Sequence, residues 1–183
     1  VEEEAPGAEN GKGQGPVEEH FGVKEGNPGQ ERSEIHIGSP LTGRVIPMKE
    51  VGDAMFASEV LGKGTAVIPE LGEVVAPCEA RVTALFETGH AIGLETAEGV
   101  ELLIHVGINT VELQGKYYQT HVSQGDPVKA GQSLITFDPE KIKKAGYDVT
   151  TPVIVANTGE YRSVEGCETG AVKAMEPLVK ILV

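Results

Sequence analysis

Residues 89 to 107 set two apolar stretches on either side of the polar Thr96-Ala97-Glu98-Gly99, and a chain so patterned folds back on itself. The first stretch starts at Ala91 and the second ends at Val106, so both read as strands of one antiparallel hairpin. The hairpin carries His90 and His105, two of the five histidines in the chain. An even-numbered loop, either Ala97-Glu98 or the four residues from Thr96 as a type I turn with Gly99 as its left-handed residue, pairs His90 directly with His105. Facing Cβ atoms on one side of such a pair lie about 4.5 to 5.5 Å apart, close enough for the imidazoles to touch. A three-residue loop slides the pairing by one and sends the rings to opposite faces. The four-residue loop is the expectation.

Elsewhere the same short apolar runs recur, broken by 24 glycines and 11 prolines. Strands are expected at Arg44 to Pro47, Ala66 to Pro69, Glu73 to Pro77, Ala80 to Glu87, Tyr117 to Val122, Ser133 to Phe137, Thr151 to Ala156 and Leu178 to Leu182. Lys49 to Ser58 reads as an irregular loop or a single helical turn. Asp138 to Lys144 reads as a short helix, with Asp138 as N-cap, Pro139 at its first position and Gly146 as its stop. Four Phe, four Tyr and no Trp leave the core to aliphatic side chains. The fold class is all-β, an antiparallel β-sandwich or barrel-sandwich hybrid with at most short helical turns.

Residues 1 to 34 hold nine acidic and three basic residues, and their Glu, Gly, Pro and Gln leave too little apolar surface to offset ordering entropy. They read as an acidic flexible linker or tail, in front of one domain spanning 35 to 183. An acidic linker there suggests excision from a longer polypeptide. His20 and His36 read as solvated. The formal charge of -13 argues against nucleic acid and favours a cationic partner. No run approaches the roughly 18 apolar residues that span a membrane, and no basic, apolar signal pattern opens the chain. Cys78 and Cys167 show no metal-knuckle spacing, and a reducing cytosol is the expected compartment.

Two facing imidazoles admit three readings: a satisfied structural pair, a metal half-site completed by a residue such as Glu101, or a nucleophile with a supporting ring. The surroundings favour the third. Leu102-Leu103-Ile104 and Val106-Gly107-Ile108 bracket His105 with apolar residues that disfavour a resting positive charge. Gly107 removes a side chain beside the ring, which suits the approach of another protein. No Arg or Lys stands between Arg81 and Lys116. An Arg fork would hold a phosphoryl group tightly, and each 1.4 kcal/mol of holding shifts onward transfer about tenfold.

Phe86-Glu-Thr-Gly-His90-Ala91 and Gly99-Val-Glu-Leu-Leu-Ile-His105-Val-Gly-Ile-Asn-Thr-Val-Glu-Leu-Gln-Gly115 closely resemble the IIA domain of the glucose and β-glucoside family of the bacterial phosphoenolpyruvate-dependent sugar phosphotransferase system. The resemblance continues in Ser39-Pro-Leu-Thr-Gly-Arg-Val45, Val75-Ala-Pro77 and His121-Val-Ser-Gln-Gly-Asp-Pro-Val-Lys-Ala-Gly131, and covers roughly residue 36 to the C-terminus. It implies a phosphotransferase that takes a phosphoryl group from the phosphocarrier HPr and passes it to a cysteine of a IIB domain. By motif position, His105 is the residue phosphorylated at Nε2, His90 the ring that supports the group, and Thr88 the hydroxyl that orients His90. A docking surface falls on Met55, Phe56, Val60, Leu61, Phe86, Leu103 and Val111, each of which also reads as ordinary core. No cofactor and no metal centre are implied, and incidental zinc at His90 and His105 is compatible with the role. The domain is expected in the cytoplasm, either free or as the cytosolic part of a membrane-embedded sugar permease.

The chain departs from the best-known glucose-specific members at Asn109, where they carry an acidic residue, and at Leu103, where they carry Phe. Tyr117-Tyr118 and the stretch from Ala145 to Pro152 resemble instead the β-glucoside, trehalose and sucrose branches, commonly fused to permeases. A regulatory domain attached to a sugar symporter, a swinging-arm carrier with Lys173 as its modified residue, and a zinc module are the competing expectations.

Overall fold

The computed structural model describes residues 33–183. The linker expected at 1 to 34, with His20, therefore lies outside the described residues apart from Ser33 and Glu34. Glu34 opens the first strand, β1 (Glu34–Gly38), followed by β2 (Gly43–Ile46), a 3-10 turn at Met48–Glu50 and the four-residue helix α1 (Ala54–Ala57). Then come β3 (Lys63–Pro69), β4 (Glu73–Val75), β5 (Ala80–Leu85), β6 (Ala91–Thr96) and β7 (Glu101–His105). A 3-10 turn at Thr110–Leu113 leads to β8 (Tyr118–Thr120), β9 (Pro127–Val128), β10 (Ser133–Phe137), α2 (Pro139–Lys144) and β11 (Thr151–Val155). Beyond another 3-10 turn, β12 (Ser163–Gly166), β13 (Gly170–Val172) and β14 (Pro177–Leu182) close the chain.

Every strand pairing is antiparallel. An eight-stranded sheet runs β13-β2-β3-β11-β7-β6-β5-β9, and two three-stranded sheets run β1-β14-β12 and β4-β10-β8. The sheets do not close into a barrel, and the architecture is the antiparallel β-sandwich anticipated from the sequence.

Two faces of the large sheet are apolar where the histidines sit. In β7, Leu102 and Ile104 join Val153 and Val155 of β11 and Ile92 and Leu94 of β6 in the main core. The alternate residues, Leu103 of β7, Ile154 of β11 and Ala66 of β3, point the other way, into a smaller cluster with Met48, Val51, Phe56 and Ile108. Burial on both faces explains why β11 is an unbroken buried run rather than an alternating one. His105 shares the face of Leu103, so the smaller cluster is the floor beside it.

The hairpin register differs from the expected one. Ala91, not His90, pairs with His105, and Glu95 pairs with Glu101. Thr96 N–H donates to the Val100 carbonyl at 3.0 Å, so the loop is the three residues Ala97-Glu98-Gly99. Gly99, at φ +87, supplies the left-handed residue as expected, but as the end of a three-residue loop with a glycine bulge. Sequence alone does not separate the two loops, because both place Gly99 last.

Asp138 caps α2 by accepting from Lys141 N–H at 3.0 Å, Pro139 opens it, and Gly146 follows it at φ +94. The irregular segment 49 to 58 contains α1, whose N-cap Asp53 accepts from Met55 and Phe56 N–H at 2.8 and 3.3 Å. Strands β12 and β13 were absent from the sequence expectation. Val164 and Val172 are the only buried apolar residues they contribute, too few for a period to register.

Candidate active site

His105 is the last residue of β7, partly buried at the rim of the sheet. The chain then turns through Val106 and Gly107, the latter at φ +88. This turn brings the Gly107 carbonyl to His105 Nδ1 at 2.7 Å. A carbonyl only accepts, so Nδ1 carries the proton and the neutral ring keeps its lone pair on Nε2. Any Cβ at Gly107 would collide with Thr110 Cγ2 and lie 3.0 Å from the Asp148 carbonyl. Gly107 is itself buried, so the expectation that it clears a path for a partner is corrected: Thr110 fills that space, and the glycine shapes the turn.

His90 lies in the connection between β5 and β6, not in the hairpin strand. There Gly89 N–H donates to the Phe86 carbonyl at 2.8 Å, Phe86 N–H donates to the Ala91 carbonyl at 3.2 Å, and Gly89 adopts φ +68. The His90 carbonyl accepts from Val106 N–H at 2.6 Å, which ties the two histidine-bearing bends together. Strict alternation from this register would turn the rings to opposite faces. The bend at Gly89 interrupts the pleat before Ala91, and the rings meet after all, with centroids 4.9 Å apart in an edge-on arrangement at 77°.

Phe56 of α1 packs its ring 5.1 Å from that of His105, and Phe86 packs 5.3 Å from His90. Thr88 Oγ1 lies 2.5 Å from His90 Nδ1. Burial, and then the neighbouring His105, push the pKa of His90 down to about 4. Burial also lowers that of His105, against opposing pulls from the Gly107 carbonyl and the Asp53 carboxylate. Near neutral pH the pair is therefore two uncharged rings, one with an available nucleophilic nitrogen. Asp53 was missed in the sequence. Its signal was the placement of an acid directly before Ala-Met-Phe-Ala, which makes it the cap of α1, and its carboxylate also raises the pKa of His105.

The seven residues of the expected docking surface divide by exposure. Met55, Val60, Leu61, Phe86 and Val111 are exposed, Val60 at 66%. Leu103 is partly buried against the smaller cluster, and Phe56 is buried in it with only 7% of its surface accessible. Asn109 is exposed in the left-handed region at φ 58, a conformation Asn tolerates better than most residues, and its side chain caps nothing. His36 sits at the surface 3.3 Å from Glu34, and His121 bonds Thr136. Among the described residues no three His, Cys, Asp or Glu side chains are placed to hold a metal. Glu101 and His105 stand at opposite ends of β7, on the order of 13 Å apart along a strand, so Glu101 does not complete a histidine half-site.

A family model described as phosphoenolpyruvate-dependent sugar phosphotransferase system, EIIA 1, matches residues 35–161. The beta-glucoside-specific EIIBCA component of Dickeya chrysanthemi is 46% identical over 156 residues, covering 85% of this chain and 25% of that protein. The glucose-specific EIIA component of Oceanobacillus iheyensis is 40% identical over 156 residues, covering 85% of this chain and 92% of that one. Among solved structures, glucose permease IIA from Mycoplasma capricolum matches with a TM-score of 0.75 at 32% identity, covering 81% of this chain and 96% of that one. The chain spans about a quarter of the length of the EIIBCA relatives, against most of the free EIIA component.

Proposed function

Because the chain belongs to the EIIA 1 family of the phosphoenolpyruvate-dependent sugar phosphotransferase system, a family of phosphoryl carriers in sugar uptake, we propose that His105 is its phosphoryl acceptor, His90 the supporting ring and Thr88 the residue that orients His90. The observation that carries this reading is the bond from His105 Nδ1 to the Gly107 carbonyl, which leaves Nε2 free to attack. The Nε2 lone pair forms the new N–P bond as the N–P bond of the donor's phosphohistidine breaks, and the donor nitrogen recovers its electron pair. His105 then carries a positive ring and a phosphoryl dianion, with its proton still on Nδ1 against the Gly107 carbonyl. Onward transfer to a thiolate reverses these changes at His105.

His90 supports the group as a neutral donor. With Thr88 donating to Nδ1, its proton resides on Nε2, available to a phosphoryl oxygen. Placement and electrostatics supply most of the catalysis in such transfers. The stretch from Val82 to Gly115 has no Arg or Lys, so nothing on it holds the dianion as a salt bridge, and the phosphoryl group stays transferable. The donor we propose is HPr and the recipient a IIB domain, in keeping with relatives named EIIBCA components. Both would dock over the exposed Met55, Val60, Leu61, Phe86 and Val111, with Phe56 and Leu103 forming the support beneath. The working compartment is the cytoplasm.

The test is labelling from radioactive phosphoenolpyruvate through the general phosphotransferase proteins. His105→Ala abolishes label on the domain. His90→Ala keeps the fold and slows transfer, by about 100-fold if it removes the main donor to the transferring group. Full labelling of the His105→Ala protein refutes the assignment.

A further inference from the structure

Tyr118, on β8, reaches both histidine-bearing bends from a different sheet. Its hydroxyl donates to the Val106 carbonyl at 2.8 Å, beside a second donation from Thr110 Oγ1 at 2.7 Å. A Cβ built at Gly89 would lie 3.3 Å from Tyr118 Cβ and 3.2 Å from Thr120 Cγ2, so the bend before His90 is seated directly on β8. Burial pushes the phenol up to about 12, which keeps it a donor throughout the neutral range. Its ring stacks on Phe137 with centroids 6.1 Å apart.

Gly107 gives this contact its significance. At φ +88 it is the residue of the turn with the widest conformational choice, yet its carbonyl must stay on His105 Nδ1. The peptide that follows it is held by Ile108 N–H donating to the Asp148 carbonyl at 2.9 Å. The peptide that precedes it is held through the Val106 carbonyl, by Tyr118 and Thr110. With both flanking peptides fixed, the two torsions of Gly107 have little freedom left. We infer that Tyr118 is a positioning residue for phosphoryl transfer, its hydroxyl holding the Val106–Gly107 turn so that the Gly107 carbonyl remains on Nδ1 of His105. This rests on the reading of His105 as the acceptor.

Tyr118→Phe removes the hydroxyl and keeps the ring, whereas Phe137→Leu removes the stacking partner and keeps the hydroxyl. In the full chain, the nitrogen NMR signals of the His105 ring are followed against pH, and the initial rate of phosphoryl uptake from phospho-HPr is measured. Y118F keeps its fold, moves the His105 ring signals and their titration, and lowers the rate about threefold to tenfold, the range expected for one neutral hydrogen bond. F137L lowers the melting temperature and leaves the His105 signals in place. Unchanged ring signals with a rate within about twofold of wild type in Y118F overturn the inference, as does unfolding of Y118F, which makes the hydroxyl a support of the fold. Label that maps away from His105 in the wild type brings down the acceptor reading by itself, while the spectrum of the unphosphorylated protein judges the Tyr118 contact separately.

Discussion

At the scale of single residues, the two histidines gain distinct properties from their neighbours. Gly107 sets the tautomer of His105, and burial sets the charge of His90. The second has a stability consequence with a definite sign. His90 titrates near 4 when folded and near 6.5 when not, so between these values the unfolded chain binds more protons. Its contribution to stability is fully present above about pH 6.5 and disappears as the pH falls toward 4. At about 1.4 kcal/mol per pKa unit, the loss is on the order of 3 kcal/mol. Denaturant melts at pH 7 and pH 4.5 on wild type and His90→Gln measure it: the variant loses less stability between the two. Equal losses contradict a buried neutral His90. The paired histidines were legible in the sequence because their motif and apolar setting are both local. The tautomer was not, since it depends on a backbone carbonyl that a left-handed glycine swings into place.

The elements show where local rules hold and where they stop. All the determinants of α2 are adjacent in sequence, and cap, opening proline and stop glycine fall where expected. The hairpin was legible as a hairpin, but its register turned on one residue of loop length, and the contact of the rings turned on a bend outside it. The inferred facing of His90 and His105 thus reached the correct contact through the wrong pairing. Asp53 and Asp138 make a controlled comparison of two caps. Either replacement by Ala removes a side-chain acceptor from a helix start and costs about 1 kcal/mol. Asp53→Ala alone also removes the carboxylate that raises the pKa of His105, so it lowers that pKa further while Asp138→Ala leaves it unchanged. Thermal melts and ring-resonance titrations of both variants check this. A His105 titration that Asp53→Ala does not move rules out the electrostatic influence.

Over the whole molecule, the proposed function divides the work of recognition between charge and apolar surface. Of the formal charge of -13, residues 1 to 34 account for -6 and the rest for -7, so under the proposed function a cationic donor would be drawn in at long range and would meet the exposed Met55, Val60 and Phe86 at short range. Raising the ionic strength from about 0.1 M to about 1 M shortens the Debye length from about 10 Å to about 3 Å. Phosphoryl uptake at limiting donor concentration falls severalfold over that range, whereas uptake at saturating donor stays nearly level. A limiting rate insensitive to salt excludes electrostatic steering. The division into sheets was beyond the sequence, because β1 and β13 are held by partners far along the chain, and β12 carries too little pattern of its own to announce its pairing with β14.

The pairing of β1 with β14 has one more consequence. Glu34 stands beside Leu182, and Val183 N–H donates to the Ser33 carbonyl at 3.0 Å, so the two ends of the described fold meet. Topologically the unit is a ring with a seam. A ring of this kind can be joined end to end and reopened at an exposed turn, or spliced into another polypeptide through a single point of attachment, with its strand order preserved. The occurrence of similar domains both as free EIIA components and inside EIIBCA proteins is what such modularity permits.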